Sequence, residues 1–199
     1  MSDSSSSLSQ RIAGRVRELR AKHKLSLDSL ARKTGVSRSM ISLIERAECS
    51  PTAVVLEKLA AGLGVVLASL FDAPSEAMQV SRGPLARRKE QPEWQDPASG
   101  YRRRNVTPPG VPQPMQIVEV QFPAGARVAF ENGAHNRHVQ QQVWMLSGTM
   151  EIVVGIDNHR VDEGACLAMQ LDQTILFHNP TRKLARYAVV TVSETPSRR

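Results

Sequence analysis

The sequence predicts two domains of different class, an all-α unit of five helices followed by an all-β sandwich or barrel. Three observations carry this. Apolar residues from Leu8 to Phe71 recur at helical spacing. From Met115 onward the apolar period becomes two. The charge is also uneven: residues 1–72 hold 11 Lys+Arg against 7 Asp+Glu, residues 73–104 hold 7 against 4, and residues 105–199 hold 8 of each. A chain of 199 residues with net charge +7 and a basic first half favours an acidic partner such as nucleic acid for that half. The boundaries that follow are a disordered polar tail at 1–7, a helical domain at 8–72, a linker at 73–92 and a barrel at 93–195.

Each helix has an apolar face. Ile12, Val16 and Leu19 line the first, Leu27, Leu30 and Ala31 the second, and Ile41 and Ile44 the third. Leu56, Leu59, Ala60 and Leu63 line the fourth, and Leu67, Leu70 and Phe71 a short fifth. Ser26 and Ser37 are expected N-caps, each with an apolar residue before it and another inside the helix as a staple. Ser50-Pro51 is expected to open the fourth helix, Ser as cap and Pro at the first helical position. Between the second and third helices "TGVS" supplies Gly35 for a tight turn. Two short helices joined in this way form a helix-turn-helix.

The stretch "LSLDSLARKTGVSRSMISLIERAECSPTAVVLEKLAAGLGV" resembles the XRE (Cro/C1-type) family of bacterial DNA-binding domains over about the first 70 residues. It departs from the family at Ala47-Glu48, where a glycine is usual. The resemblance implies that the third helix enters the major groove with Ser37, Arg38, Ser39 and Ser42 at base edges. Arg38 either reads guanine through its two-pronged donor geometry or holds phosphate. Ser26 and the amides beside it suit phosphate, with Arg32 and Lys33 in support. Arg20 and Glu45 match the family's interhelical ion pair and take structural roles.

The linker region loses the helical period. Gln91 to Pro114 holds six of the twelve prolines. The basic clusters Arg87–Glu90 and Tyr101–Arg104 are expected at the solvated edge of the linker and first strands, or on phosphate. Trp94 and Tyr101 are expected to pack the connection against the second domain or across a dimer interface.

In the second half Val118, Val120 and Phe122 alternate with Ile117, Glu119 and Gln121, "QVWMLSG" and "TMEIVVG" meet at Ser147-Gly148, and "GIDNHR" reads as a turn. "ACLAMQL", "TILFHNP" and "ARYAVVTV" continue a series of short strands. The pieces "FENGAHNRHVQQQVWMLSG" and "GACLAMQLDQTILFHNP" resemble the two motifs of the cupin superfamily, jelly-roll barrels. In metal-binding cupins those motifs supply His-x-His, a carboxylate and a further His. On the register set by Gly148 these positions are Asn136, His138, Gln142 (or Gln141 with a slip of one) and Ile175. Only His138 keeps a ligand, and neutral amides are poor donors to a divalent ion. His135 and His178 are not expected to substitute, so no metal and no cofactor are expected.

A pocket is expected to persist, with Asn136, His138, Gln140, Gln142, Trp144 and Ile175 around a small-molecule effector, and with Met150 and Met169 as further wall or plain core. Cys49 and Cys166 form no disulfide framework and no zinc-finger spacing; Cys166, with no histidine near it, reads as a buried strand residue. No apolar run approaches the roughly 18 residues of a membrane span. The function implied is a bacterial transcriptional regulator such as a repressor, cytoplasmic and nucleoid-associated, that binds double-stranded operator DNA as a homodimer and is not an enzyme. The alternatives are a metal-dependent cupin enzyme fused to a DNA-binding domain, and an antitoxin-like repressor that binds a protein partner.

Overall fold

The computed structural model describes residues 3–71, 84–108, 115–131 and 139–193. Its helices are α1 (Asp3–Lys22), α2 (Leu27–Thr34), α3 (Arg38–Glu45) and α4 (Ala53–Leu63). The expected fifth helix, Leu67–Phe71, is a 3-10 turn. Its five residues are too few for a stable α-helix, and the tighter i→i+3 pattern is the usual form of so short a piece. At the other end α1 begins at Asp3, so the helix takes in residues expected in a tail.

Ser26 and Ser37 cap as expected. Ser26 Oγ accepts from the N–H of Ser29 at 3.0 Å, and Ser37 Oγ accepts from that of Met40 at 3.2 Å. Gly35 ends α2 at φ 68°, in the left-handed region, and donates to Ala31. The start of α4 differs from expectation. Thr52, not Ser50, is the cap, its hydroxyl accepting from Val55 at 3.4 Å. Pro51 therefore lies one residue before the cap, outside the helix, and is itself buried. Buried Ile12, Val16, Leu30, Ile41, Leu56, Leu59 and Leu63 pack the four helices together.

Among the described residues the barrel holds ten strands: β1 (Glu93–Gln95), β2 (Arg102–Asn105), β3 (Met115–Phe122), β4 (Arg127–Phe130), β5 (Val139–Ser147), β6 (Thr149–Val154), β7 (Asp157–Asp162), β8 (Cys166–Gln170), β9 (Ile175–His178) and β10 (Ala185–Ser193). One sheet runs β1-β2-β3-β10-β5-β8 and the other β4-β9-β6-β7, with every pair antiparallel. Counted from β3, the last eight strands run 1-8-3-6 and 2-7-4-5. Two Greek keys closed face to face in this order form a jelly roll.

β5 and β6 meet at Ser147-Gly148 but belong to opposite sheets, so this glycine turns a corner between layers. It has φ 83°, and a Cβ there would lie 3.2 Å from Ala185 Cα, so both conformation and space call for glycine. "GIDNHR" is not wholly a turn: Gly155-Ile156 forms the bend and Asp157–Asp162 is already β7.

The helical domain and the barrel share one apolar core. Phe71 of the 3-10 turn packs on Trp94 of β1 with centroids 5.7 Å apart, and Trp94 packs on Tyr101 at 5.8 Å. Tyr101 stacks on Phe122 of β3 at 5.6 Å, and Phe122 meets Tyr187 of β10 at 6.3 Å. Tyr187 stacks on Phe177 of the second sheet at 6.0 Å. This aromatic line runs from the helical domain across the barrel. Trp94 and Tyr101 are buried within the chain, the first of the two placements expected for them, and also join the barrel to the helical domain. Polar contacts reinforce the junction: Asp96, beside β1, accepts from the N–H of Ala53, and Lys58 of α4 lies 3.2 Å from Glu131.

Candidate functional site

The first site is the outer surface of α2 and α3. Ser26, Arg32, Lys33, Ser37, Arg38 and Ser39 are exposed there, and Ser42 is half-buried. Capping occupies the Ser26 and Ser37 hydroxyls. Ser37 Oγ also lies 3.1 Å from Ser39 Oγ. The Arg38 guanidinium lies 3.4 Å from Asp28 Oδ1, a contact between two largely solvated groups that a stronger partner can replace. Behind this face Arg20 makes a fork-to-fork pair with Glu45, at 2.6 and 2.8 Å, and donates to Leu25 at 3.0 Å. The pair ties α1 to the end of α3 and fixes the angle of that helix. Ala47, where the resembled family usually has glycine, stands at φ 57°.

The second site is a cavity of about 90 Å³ inside the jelly roll. One water needs roughly 10–15 Å³, so the space suits a small organic molecule. Its apolar wall includes Val120, Phe122, Phe130, Leu171, Ile175 and Phe177. Its polar groups are Gln141, Thr191, Tyr101, Tyr187, Arg103 and Glu57. Gln141 donates to Thr191 Oγ1 across the β5–β10 pair at 3.2 Å. Glu57 is on α4, and Val66 and Leu67 also come from the helical domain. The floor of the barrel cavity is thus part of the other domain.

The expected pocket residues divide. Ile175 is buried and lines the cavity. Gln140, Gln142 and Trp144 face outward and are exposed, Trp144 to 51%. The period of two decides this: Val139, Val143 and Met145 are the buried residues of β5, so Gln141 shares their face. Asn136 and His138, with His135, lie outside the described residues. Met150 and Met169 are buried but are not among the lining residues. Cys166, expected inside, is exposed across from Trp144. His178 Nδ1 lies 2.9 Å from Glu151 Oε2, on paired strands.

Of the cupin metal positions, those at Gln141 or Gln142 and at Ile175 hold an amide and a hydrocarbon. Neither donor fits a divalent ion. Among the described residues no cluster of three or more His, Cys, Asp or Glu is placed to hold one.

Arg103 and Glu57 escaped the sequence reading, which put Tyr101–Arg104 at a solvated edge. Both are 8% exposed. The alternation of β2 carries the missing signal: Tyr101, Arg103 and Asn105 face inward while Arg102 is exposed. Burial pushes the Glu57 carboxyl up to about 7, against an opposing pull from the Arg103 charge. Burial pushes the Tyr101 hydroxyl up to about 12 and that of Tyr187 well above its ordinary value. Burial also lowers the Arg103 guanidinium from its usual range, with Tyr101 and Glu57 acting in the opposite direction.

A capped pair of short helices joined by a left-handed glycine forms a helix-turn-helix, here carried on a jelly roll. Residues 16–69 match the family described as helix-turn-helix, HTH_3. Those residues therefore carry an XRE-type helix-turn-helix domain. The chain is 27% identical over 165 residues to the HTH-type transcriptional regulator SutR of Escherichia coli K12, covering 82% of this chain and 84% of that protein. Its fold matches the crystal structure of an HTH_3 family transcriptional regulator from Vibrio cholerae with TM-score 0.74 and 22% identity, over 96% of this chain and 99% of that one. No helix among the described residues is long and apolar enough to cross a membrane.

Proposed function

We propose that this chain is a sequence-specific, cytoplasmic regulator whose barrel senses a small organic effector and whose DNA-binding unit is a two-fold homodimer. The observation that carries the sensing role is the shared cavity: Glu57, Val66 and Leu67 of the helical domain line it beside Phe122, Tyr187 and Gln141 of the barrel. A molecule bound there touches both domains. It can therefore favour one arrangement of α4, which follows α3 directly, over another. The exposed Trp144, flanked across the sheet by Ala188 and Cys166, supports dimerisation through the outer face of β5.

The test is selection of DNA from a random pool by the full chain, followed by footprinting and mass measurement. The reading expects two symmetric half-sites about one helical turn apart. It also expects a dimer that Trp144→Ser shifts toward monomer. Binding with no preference among sequences would overturn the regulator reading, and a monomer on a single half-site would overturn the dimer.

A further inference from the structure

Among the described residues Arg103 is a buried cation with no carboxylate within 4.0 Å. Its guanidinium carbon lies 4.6 Å from the centroid of the Phe71 ring, and its Nε has no hydrogen-bond partner. Its electrostatic neighbours are Tyr101 just before its own strand, Tyr187 on β10 and Glu57 on α4. None of the ion pairs found within 4.0 Å involves it. Among the described residues the acid that faces it is Glu57, which burial itself pushes toward neutrality. Arginine keeps its charge even so. Removing a charge from water without a counter-ion is strongly unfavourable, and a ligand that supplies the counter-ion recovers that loss. The rest of the cavity is mostly hydrocarbon and aromatic ring, from Val120, Phe122 and Phe130 to Leu171, Ile175 and Phe177.

We propose that the effector is a small monocarboxylate, with its anionic head on Arg103 at the domain junction and its apolar body along Phe122, Phe177 and Ile175. This rests on the effector-sensing reading and gives it a chemical class. A guanidinium donates two parallel hydrogen bonds to a carboxylate, and the unpartnered Nε supplies one of them. The head then lies in the same cavity as Glu57, so occupancy changes the field at a residue of α4. Glu57 is a positioning residue here, and Arg103 is the binding residue.

Hexanoate, 4-methylpentanoate and phenylacetate, each beside its primary amide, are the probes. Binding to the full chain is followed by calorimetry and thermal shift, and operator affinity is measured with and without each probe. The acids are expected to bind at least tenfold more tightly than their amides. R103M is expected to abolish that preference, and R103K to keep part of it without loss of fold. E57Q is expected to bind the acids while losing their effect on operator affinity. Equal binding of acids and amides, or a preference that survives R103M and R103K, would overturn the carboxylate class and leave the sensing reading standing. Bound acids that never change operator affinity would overturn sensing and leave the carboxylate site. Binding by no member of either series would overturn both.

Discussion

The carboxylate of Asp96 caps a helix in the other domain: its Oδ1 accepts from the backbone N–H of Ala53 at 2.9 Å, at the first residue of α4. Its Oδ2 accepts from the N–H and hydroxyl of Ser99 at 2.8 and 2.5 Å, which fixes the turn between β1 and β2. The residue is 2% exposed. A negative charge at a helix N-terminus also meets the positive end of the helix dipole. Asp96→Ala removes the cap and leaves buried donors unsatisfied. It should lower stability by about 1–3 kcal/mol. Urea denaturation checks this, and a variant within experimental error of the parent would show the contact to be dispensable.

Glu57 makes stability depend on pH. Its folded value of about 7 stands above the ordinary 4.5, so between the two the folded chain holds a proton that the unfolded chain releases. This contribution is full below the lower value and is lost as pH rises toward the upper one. The loss is on the order of 3 kcal/mol. Glu57→Gln should flatten the decline and leave the variant more stable than the parent in mildly alkaline buffer. Arg103 and Tyr101 face the same group, so the comparison is made with both intact. A parallel decline in the two proteins would assign it to other groups.

Arg38→Ala separates the two roles considered for that side chain. A guanine contact predicts a loss of about 1–3 kcal/mol confined to operators with the matching base, and a flattened preference at that position. A phosphate contact predicts a uniform loss and a salt dependence reduced by about one counter-ion. Arg32→Ala and Lys33→Ala should show the second pattern. Affinity measured over a range of salt on matched and mutated operators decides between them.

Ala47 is strained where a glycine would not be. An L-residue at φ 57° meets its own carbonyl, and glycine does not. Ala47→Gly should therefore raise stability by about 0.5–1 kcal/mol, after allowance for the greater freedom of the unfolded chain. A fall in the denaturation midpoint would mean that the Ala47 methyl contributes more packing than its backbone loses.

The helical domain was the more legible half because its signals are local. Ser26, Ser37 and Gly35 act within a few residues of themselves, and each does what its type predicts. Where two local signals competed, sequence gave no arbiter: Ser50 and Thr52 are both good caps, and only the tertiary contact with Asp96 selects the helix start at Ala53. The barrel was legible in class but not in register. The run of three glutamines before Val143 offers no apolar mark, so a slip of one residue exchanged Gln141 for Gln140 and Gln142. Arg103 was hidden for another reason. Charge predicts exposure, and only the alternation of the short β2 strand, with Tyr101 and Asn105 on the same face, overrides it.

The cavity floor supplied by α4 has a consequence for how such a protein can diversify. A barrel with its own closed base could be joined by recombination to any reading head and keep its ligand. This one takes Glu57, Val66 and Leu67 from the reading head, and returns Asp96 to it as a cap. An exchange of domains between relatives would break both at once. The two halves are therefore bound to change together, and a new ligand preference can arise from a substitution in the DNA-binding half.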